Sequence, residues 1–194
     1  GKTTFAAANT FGTLNVANGI VEFANANSLS SQVLQLNGGT LSNVQAANAN
    51  IAGVSQVVTN GTISHLTIGT NFFSWGNTPF HIAGPTNLVT NMGGILYIDR
   101  GPITGSGDFV KSGYGTLQLG MASRPGWSSN ITVAQGLLIM YNGDRPVHLG
   151  TETMMGTGTI TIAGGTLSLR PFGDGSTALV PVIRHDFVLA GGAV

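Results

Sequence analysis

A short phrase recurs along this chain: a glycine, a small residue, then apolar side chains at every second position. It reads Gly12-Thr13-Leu14-Asn15-Val16, Gly19-Ile20-Val21-Glu22-Phe23, Gly38-Gly39-Thr40-Leu41, Gly61-Thr62-Ile63 and Gly93-Gly94-Ile95-Leu96-Tyr97-Ile98. It returns as Gly115-Thr116-Leu117-Gln118-Leu119, Gly136-Leu137-Leu138-Ile139, Gly158-Thr159-Ile160-Thr161-Ile162 and Gly164-Gly165-Thr166-Leu167-Ser168-Leu169. Anchored at Gly19, Gly39, Gly61, Gly94, Gly115, Gly136 and Gly158, the phrase has successive spacings of 20, 22, 33, 21, 21 and 22. Five of these agree closely. The remaining one exceeds the period by about twelve, which places an insertion at the aromatic-rich stretch 71–82.

Alternation of apolar and polar side chains is the signature of a half-buried strand. Val, Ile, Thr and Phe favour strands, and Asn-Gly and Gly-Gly supply turns that need positive φ. No window keeps apolar residues at helical spacing without an interrupting glycine. A period of about 21 residues suits one coil of a parallel β-solenoid, with three short strands and three turns. About nine coils at the interstrand spacing predict a rod roughly 40 Å long. Residues 12–170 are therefore expected to form a parallel β-helix with almost no α-helix, the whole chain being one solenoid segment. A β-sandwich also has short strands and turns, but the steady period and repeated glycine phrase favour the solenoid. The phrase assigns Leu14, Val16, Leu34, Leu36, Leu41, Ile63, Leu96, Ile98, Leu117, Leu119, Ile160, Ile162, Leu167 and Leu169 to the inward face.

Composition fits this reading. Only 7% of residues are charged, against about 25% in an ordinary soluble domain. In a solenoid, like residues stack from coil to coil. Charges so stacked repel, whereas Asn and Thr ladders hydrogen-bond. Seven basic and seven acidic residues give zero net charge, which argues against nucleic acid or an anionic membrane as partner. No apolar run approaches the roughly 18 residues of a membrane helix. Cysteine is absent, which excludes disulfides and thiol chemistry. The chain starts Gly1-Lys2-Thr3 without a leader and reads as an internal piece of a longer protein.

One stretch is more specific. Ile103-Thr104-Gly105-Ser106-Gly107-Asp108-Phe109-Val110-Lys111-Ser112-Gly113-Tyr114-Gly115-Thr116-Leu117-Gln118-Leu119 resembles the autotransporter-associated β-strand repeat. That repeat runs Gly-x-Gly-x-apolar-x-Lys-x-Gly-x-Gly-x-Leu-x-Leu, then a loop and a second strand, here similar to Ile131–Leu137. Met121–Ser129 departs from the family's usual Asn-x-Tyr-x-Gly loop. Gly156–Leu167 and Ser30–Leu41 are similar to flanking pieces of such proteins, so the resemblance covers about half the chain. It implies a right-handed parallel β-helix in a bacterial surface or secreted protein, and no enzyme.

Catalytic readings find little support in the residues. Gly1-Lys2-Thr3 lacks the upstream glycine and following helix of a phosphate-binding loop. Gly173-Asp174-Gly175-Ser176 is followed by Thr177 rather than the glycine of a serine-nucleophile turn, and adjacent His185 and Asp186 point to opposite faces of a strand. Glycan cleavage needs paired carboxylates or a metal with a base. The acids Glu22, Asp99, Asp108, Asp144, Glu152, Asp174 and Asp186 are scattered, and Asp99-Arg100 reads as a turn ion pair. His65, His81, His148 and His185 lack metal-ligand spacing, so neither metal nor other cofactor is expected.

The densest aromatic cluster, Phe72, Phe73, Trp75 and Phe80, has two readings, as has Trp127. The rings form a platform for sugar or another chain, or they fold back over the coil core; the second is favoured. The functional expectation is a non-enzymatic, extracellular or cell-surface β-helical stalk or fibre. An adhesin or carbohydrate-binding passenger comes next, and a polysaccharide-degrading β-helix third. Expected partners are further solenoid coils, by self-association or covalent continuation, and a surface glycan; no membrane contact is expected of this segment.

Overall fold

In a computed structural model of the chain, the residues described are 1–25, 29–45, 47–51, 53–66, 71–98, 101–120, 127–141, 157–170 and 186–191, without the side chains of 31, 32, 141 and 170. Their regular structure is entirely strand. The elements are β1 (Lys2–Phe5), β2 (Thr10–Val16), β3 (Ile20–Phe23), β4 (Ser30–Asn43), β5 (Ala49–Asn50), β6 (Gly53–His65), β7 (Phe72–Ser74), β8 (Phe80–Ile82) and β9 (Thr86–Thr90). They continue as β10 (Ile95–Ile98), β11 (Ile103–Gly105), β12 (Phe109–Ser112), β13 (Thr116–Leu119), β14 (Ile131–Val133), β15 (Leu137–Tyr141), β16 (Ile160–Ile162), β17 (Thr166–Arg170) and β18 (Phe187–Leu189).

The strand pairings are parallel and sort the strands into three faces of a β-solenoid. The first face stacks β2, the first halves of β4 and β6, then β8 and β11, with Trp127 bridging Gly105 on the next coil. The second stacks β1, β3, the second halves of β4 and β6, β9, β12, β14, β16 and β18. The third stacks β5, β7, β10, β13, β15 and β17, so its six strands bound five complete turns. Strands β4 and β6 run through the corner between the first two faces, where their register shifts between Asn37 and Thr40. Glycine is required there: Gly38 has φ +81°, and a side chain on Gly39 would run into the Val16 carbonyl.

Coil length varies along the stack, from a short coil between Lys2 and its partner Ile20 to a long one between Ile131 and its partner Ile160. The expected insertion at 71–82 is corrected by this register. Val57 pairs with Phe80 and Phe72 with Ile95, each an ordinary coil further on, so 71–82 supplies the regular strands β7 and β8. The spacing of 33 arose because the glycine phrase precedes two different faces. Gly61 opens the second face at Thr62, and Gly94 opens the third at Ile95. The longer coil comes later, between Leu137 and its partner Thr166.

Inward positions form one continuous apolar core. Val16, Leu34, Leu36, Leu41, Ile63, Leu96, Ile98, Leu117, Leu119 and Ile160 are buried as the phrase predicts. Leu14, Leu167 and Leu169 pack half-buried against this core, and Ile162 is half-buried. Three of these four lie on β16 and β17. Polar side-chain pairs link neighbouring coils. Asn37 Nδ2 donates to Asn15 Oδ1 at 3.1 Å, and Asn130 Nδ2 donates to Asp108 Oδ1 at 3.0 Å.

Candidate functional site

Four of the five aromatics singled out in the sequence turn inward. Phe73 is in register with Leu96, and Phe80 with Val57 and Ile103, all buried, so the same alternation that buries the leucines buries these rings. Phe73 packs on Phe23 at 5.2 Å, Trp75 on Phe73 at 5.2 Å and Phe80 on Trp75 at 5.4 Å between ring centroids. Buried Trp127 stacks on Phe109 at 5.9 Å with the planes 5° apart. A surface platform of all five rings is thus corrected: these four fill the coil interior and offer no face to a ligand. Apolar area removed from water, at about 25 cal/mol per Å², drives them there.

Phe72 alone of the five is half-buried rather than buried, on the outside of the third face. The structure brings it beside Tyr97, which the sequence reading did not single out, with ring centroids 5.7 Å apart and planes at 80°. Tyr97 stands outward between inward Leu96 and Ile98, so the period-2 alternation was the signal for it. One coil further, Thr116 follows Ile95 and Gln118 follows Tyr97 in register, both half-buried. The Phe72 N–H donates to Asn48 Oδ1 at 2.9 Å, which ties the aromatic strand to the residue before β5 on the preceding coil.

Among the described residues, two titratable side chains are buried inside the coils. Lys111, 0% exposed, takes an inward position of the second face in register with Leu88 and Val133. Its ammonium reaches the corner and donates to the carbonyls of Ser112 at 2.8 Å, Gly113 at 2.6 Å and Gln135 at 3.2 Å. Burial lowers its pKa to about 8, because removal from water disfavours the charged form. This lysine joins carbonyls of two consecutive coils. Two coils earlier, buried His65 sits between Asn43 and the Asn71 carbonyl. That carbonyl only accepts, so Nε2 carries the proton at 3.0 Å and Nδ1 accepts from Asn43 Nδ2 at 3.1 Å. Burial lowers the His65 pKa, partly offset by the Asn71 bond; the neutral ring is the form that fits.

The described acids are spread over separate coils. Glu22 pairs with Lys2 at 2.8 Å, Asp108 caps Asn130, and Asp186 is exposed. His81 Nδ1 lies 3.1 Å from Thr104 Oγ1 on the outside of the first face. Among the described residues no three of the His, Asp and Glu side chains group as metal ligands would. Asp99, Arg100, Asp144, His148, Glu152, Asp174 and His185, with the Gly173–Ser176 turn, lie outside the described residues. Comparisons with protein-family models, with curated proteins and with solved structures find no match to this chain.

Proposed function

We propose that this chain is a non-enzymatic structural segment, part of a β-helical stalk or fibre at a bacterial surface or outside the cell. The observation that carries the reading is the in-register parallel stack of nine strands along the second face, around a core of inward leucines, isoleucines, valines and aromatics. Such a stack bears load along a row of main-chain hydrogen bonds, and each coil is held by its two neighbours. The resemblance of 103–119 to the autotransporter-associated repeat supports the surface setting and the family placement alike. Single-molecule pulling tests the mechanical role. Extension is expected in discrete steps of one or a few coils, each coil releasing about 22 residues, or roughly 75 Å of chain. Featureless extension at low force would overturn it.

One observation favours further coils stacking on this one. On β18, Phe187 and Leu189 repeat the inward positions of Ile160 and Ile162, yet they are 44% and 58% exposed. A strand with uncovered inward side chains, paired along one edge alone among the described residues, invites another strand. The added coil comes from the same polypeptide or from a second copy. Sedimentation across a concentration series separates these: mass rising with concentration supports self-assembly, and a persistent monomer leaves covalent continuation.

A further inference from the structure

We propose that the outside of the third face, at Phe72 and Tyr97, is a binding site for a neutral oligosaccharide whose pyranose rings lie against the two aromatic side chains. The interior of this coil already takes Phe73, Trp75 and Phe80, so the two half-buried outward rings are not surplus core. They stand on adjacent strands β7 and β10, which hold them at 5.7 Å and 80°. The edge of one ring meets the face of the other, an arrangement that the sheet fixes before any ligand arrives and that leaves part of each ring outward. The apolar C–H face of a sugar packs on an aromatic face, and preorganised rings lose little freedom on binding.

The neighbours complete the chemistry. Thr116 and Gln118 follow Ile95 and Tyr97 on the next coil, about 4.8 Å further along the stack. A hydroxyl and an amide both donate and accept, which suits sugar hydroxyls that do the same. A ring repeating along a glycan chain meets this coil spacing as it continues past the aromatic pair. Phe72, Ile95, Tyr97, Thr116 and Gln118 carry no charge, so these five side chains suit a neutral glycan better than an acidic polysaccharide or a nucleic acid.

The whole chain is titrated by calorimetry with cellohexaose, maltohexaose and chitohexaose (the N-acetylated form), each to about 10 mM, with matched runs at low and high salt. Binding to at least one, with a Kd in the region of about 1 mM and insensitive to salt, is the expected result. Phe72→Ala and Tyr97→Ala should each weaken it about tenfold, one aromatic contact's worth, while Tyr97→Phe retains it. Tyr114→Ala, removing a 70%-exposed ring at a corner outside this face, should change nothing. Gln118→Ala, which leaves both rings in place, keeps the test open should an aromatic variant misfold. No binding of any of the three sugars would overturn the proposal. So would binding that Phe72→Ala, Tyr97→Ala and Gln118→Ala leave unchanged, or a concentration-dependent dimer abolished by Tyr97→Ala, which would assign the face to a second copy. The structural role proposed above stands under every one of these outcomes.

Discussion

Leu117→Asp is expected to cost more than about 5 kcal/mol, enough to unfold the coils around it. Leu117 is 0% exposed and lies in register between Leu96 and Leu138, both equally buried. Losing a buried leucine alone costs about 2–5 kcal/mol through lost transfer and the cavity left behind. A carboxylate in that column adds a desolvation cost or must bind a proton to avoid it. Ordinary domains have only about 5–15 kcal/mol in total. Because each coil leans on its neighbours, the break should open the stack locally, with protease cleavage concentrated near β13. Leu117→Met, close in volume, should cost less than about 1.5 kcal/mol. Urea denaturation of both variants checks this, and an Asp variant as stable as the parent would refute the inward placement.

Lys111 should make stability rise with pH on the alkaline side, which is unusual for a protein. Its folded pKa is about 8 against an ordinary 10.5. Between those values the unfolded chain holds the proton and the folded chain does not, so unfolding takes up a proton and stability grows with pH. Below about pH 8 both states are charged and the burial cost is present in full. The span corresponds to an upper limit of about 3 kcal/mol. Lys111→Met removes the titration but orphans the carbonyls of Ser112, Gly113 and Gln135 that turn toward the ammonium, each costing about 1–3 kcal/mol when left without a donor. The deficit of the variant should therefore widen from pH 7 to pH 10. Chemical denaturation of both proteins at the two pH values measures it. Parallel pH profiles would show that the ammonium is not held as the structure places it.

The resemblance to the autotransporter-associated repeat already contained Lys111 as a motif position, but nothing in the local sequence says that its side chain turns inward and ends on carbonyls of two coils. In an amphipathic strand a lysine is ordinarily expected on the outer face. Phe72 and Tyr97 are a milder case. Alternation places both outside, yet their meeting depends on β7 and β10 being neighbours although a full coil of chain separates them.

What the sequence by itself determined is whatever repeats locally. Alternation in Gly115-Thr116-Leu117-Gln118-Leu119 and its counterparts specifies strand, turn and inward side chain, because those depend on pleat geometry and glycine's freedom at corners. The steady period and the scarcity of charge then require coils stacked in register. Tertiary structure decided the face to which each phrase belongs, since a glycine followed by alternating apolar residues suits the corner before the second face as well as the corner before the third. From that followed the absorption of 71–82 into regular strands, the burial of Phe73, Trp75, Phe80 and Trp127, and the seating of Lys111. Each of these depends on which side chains the neighbouring coils supply, and the sum of their volumes and hydrogen bonds is fixed only when the coils are stacked.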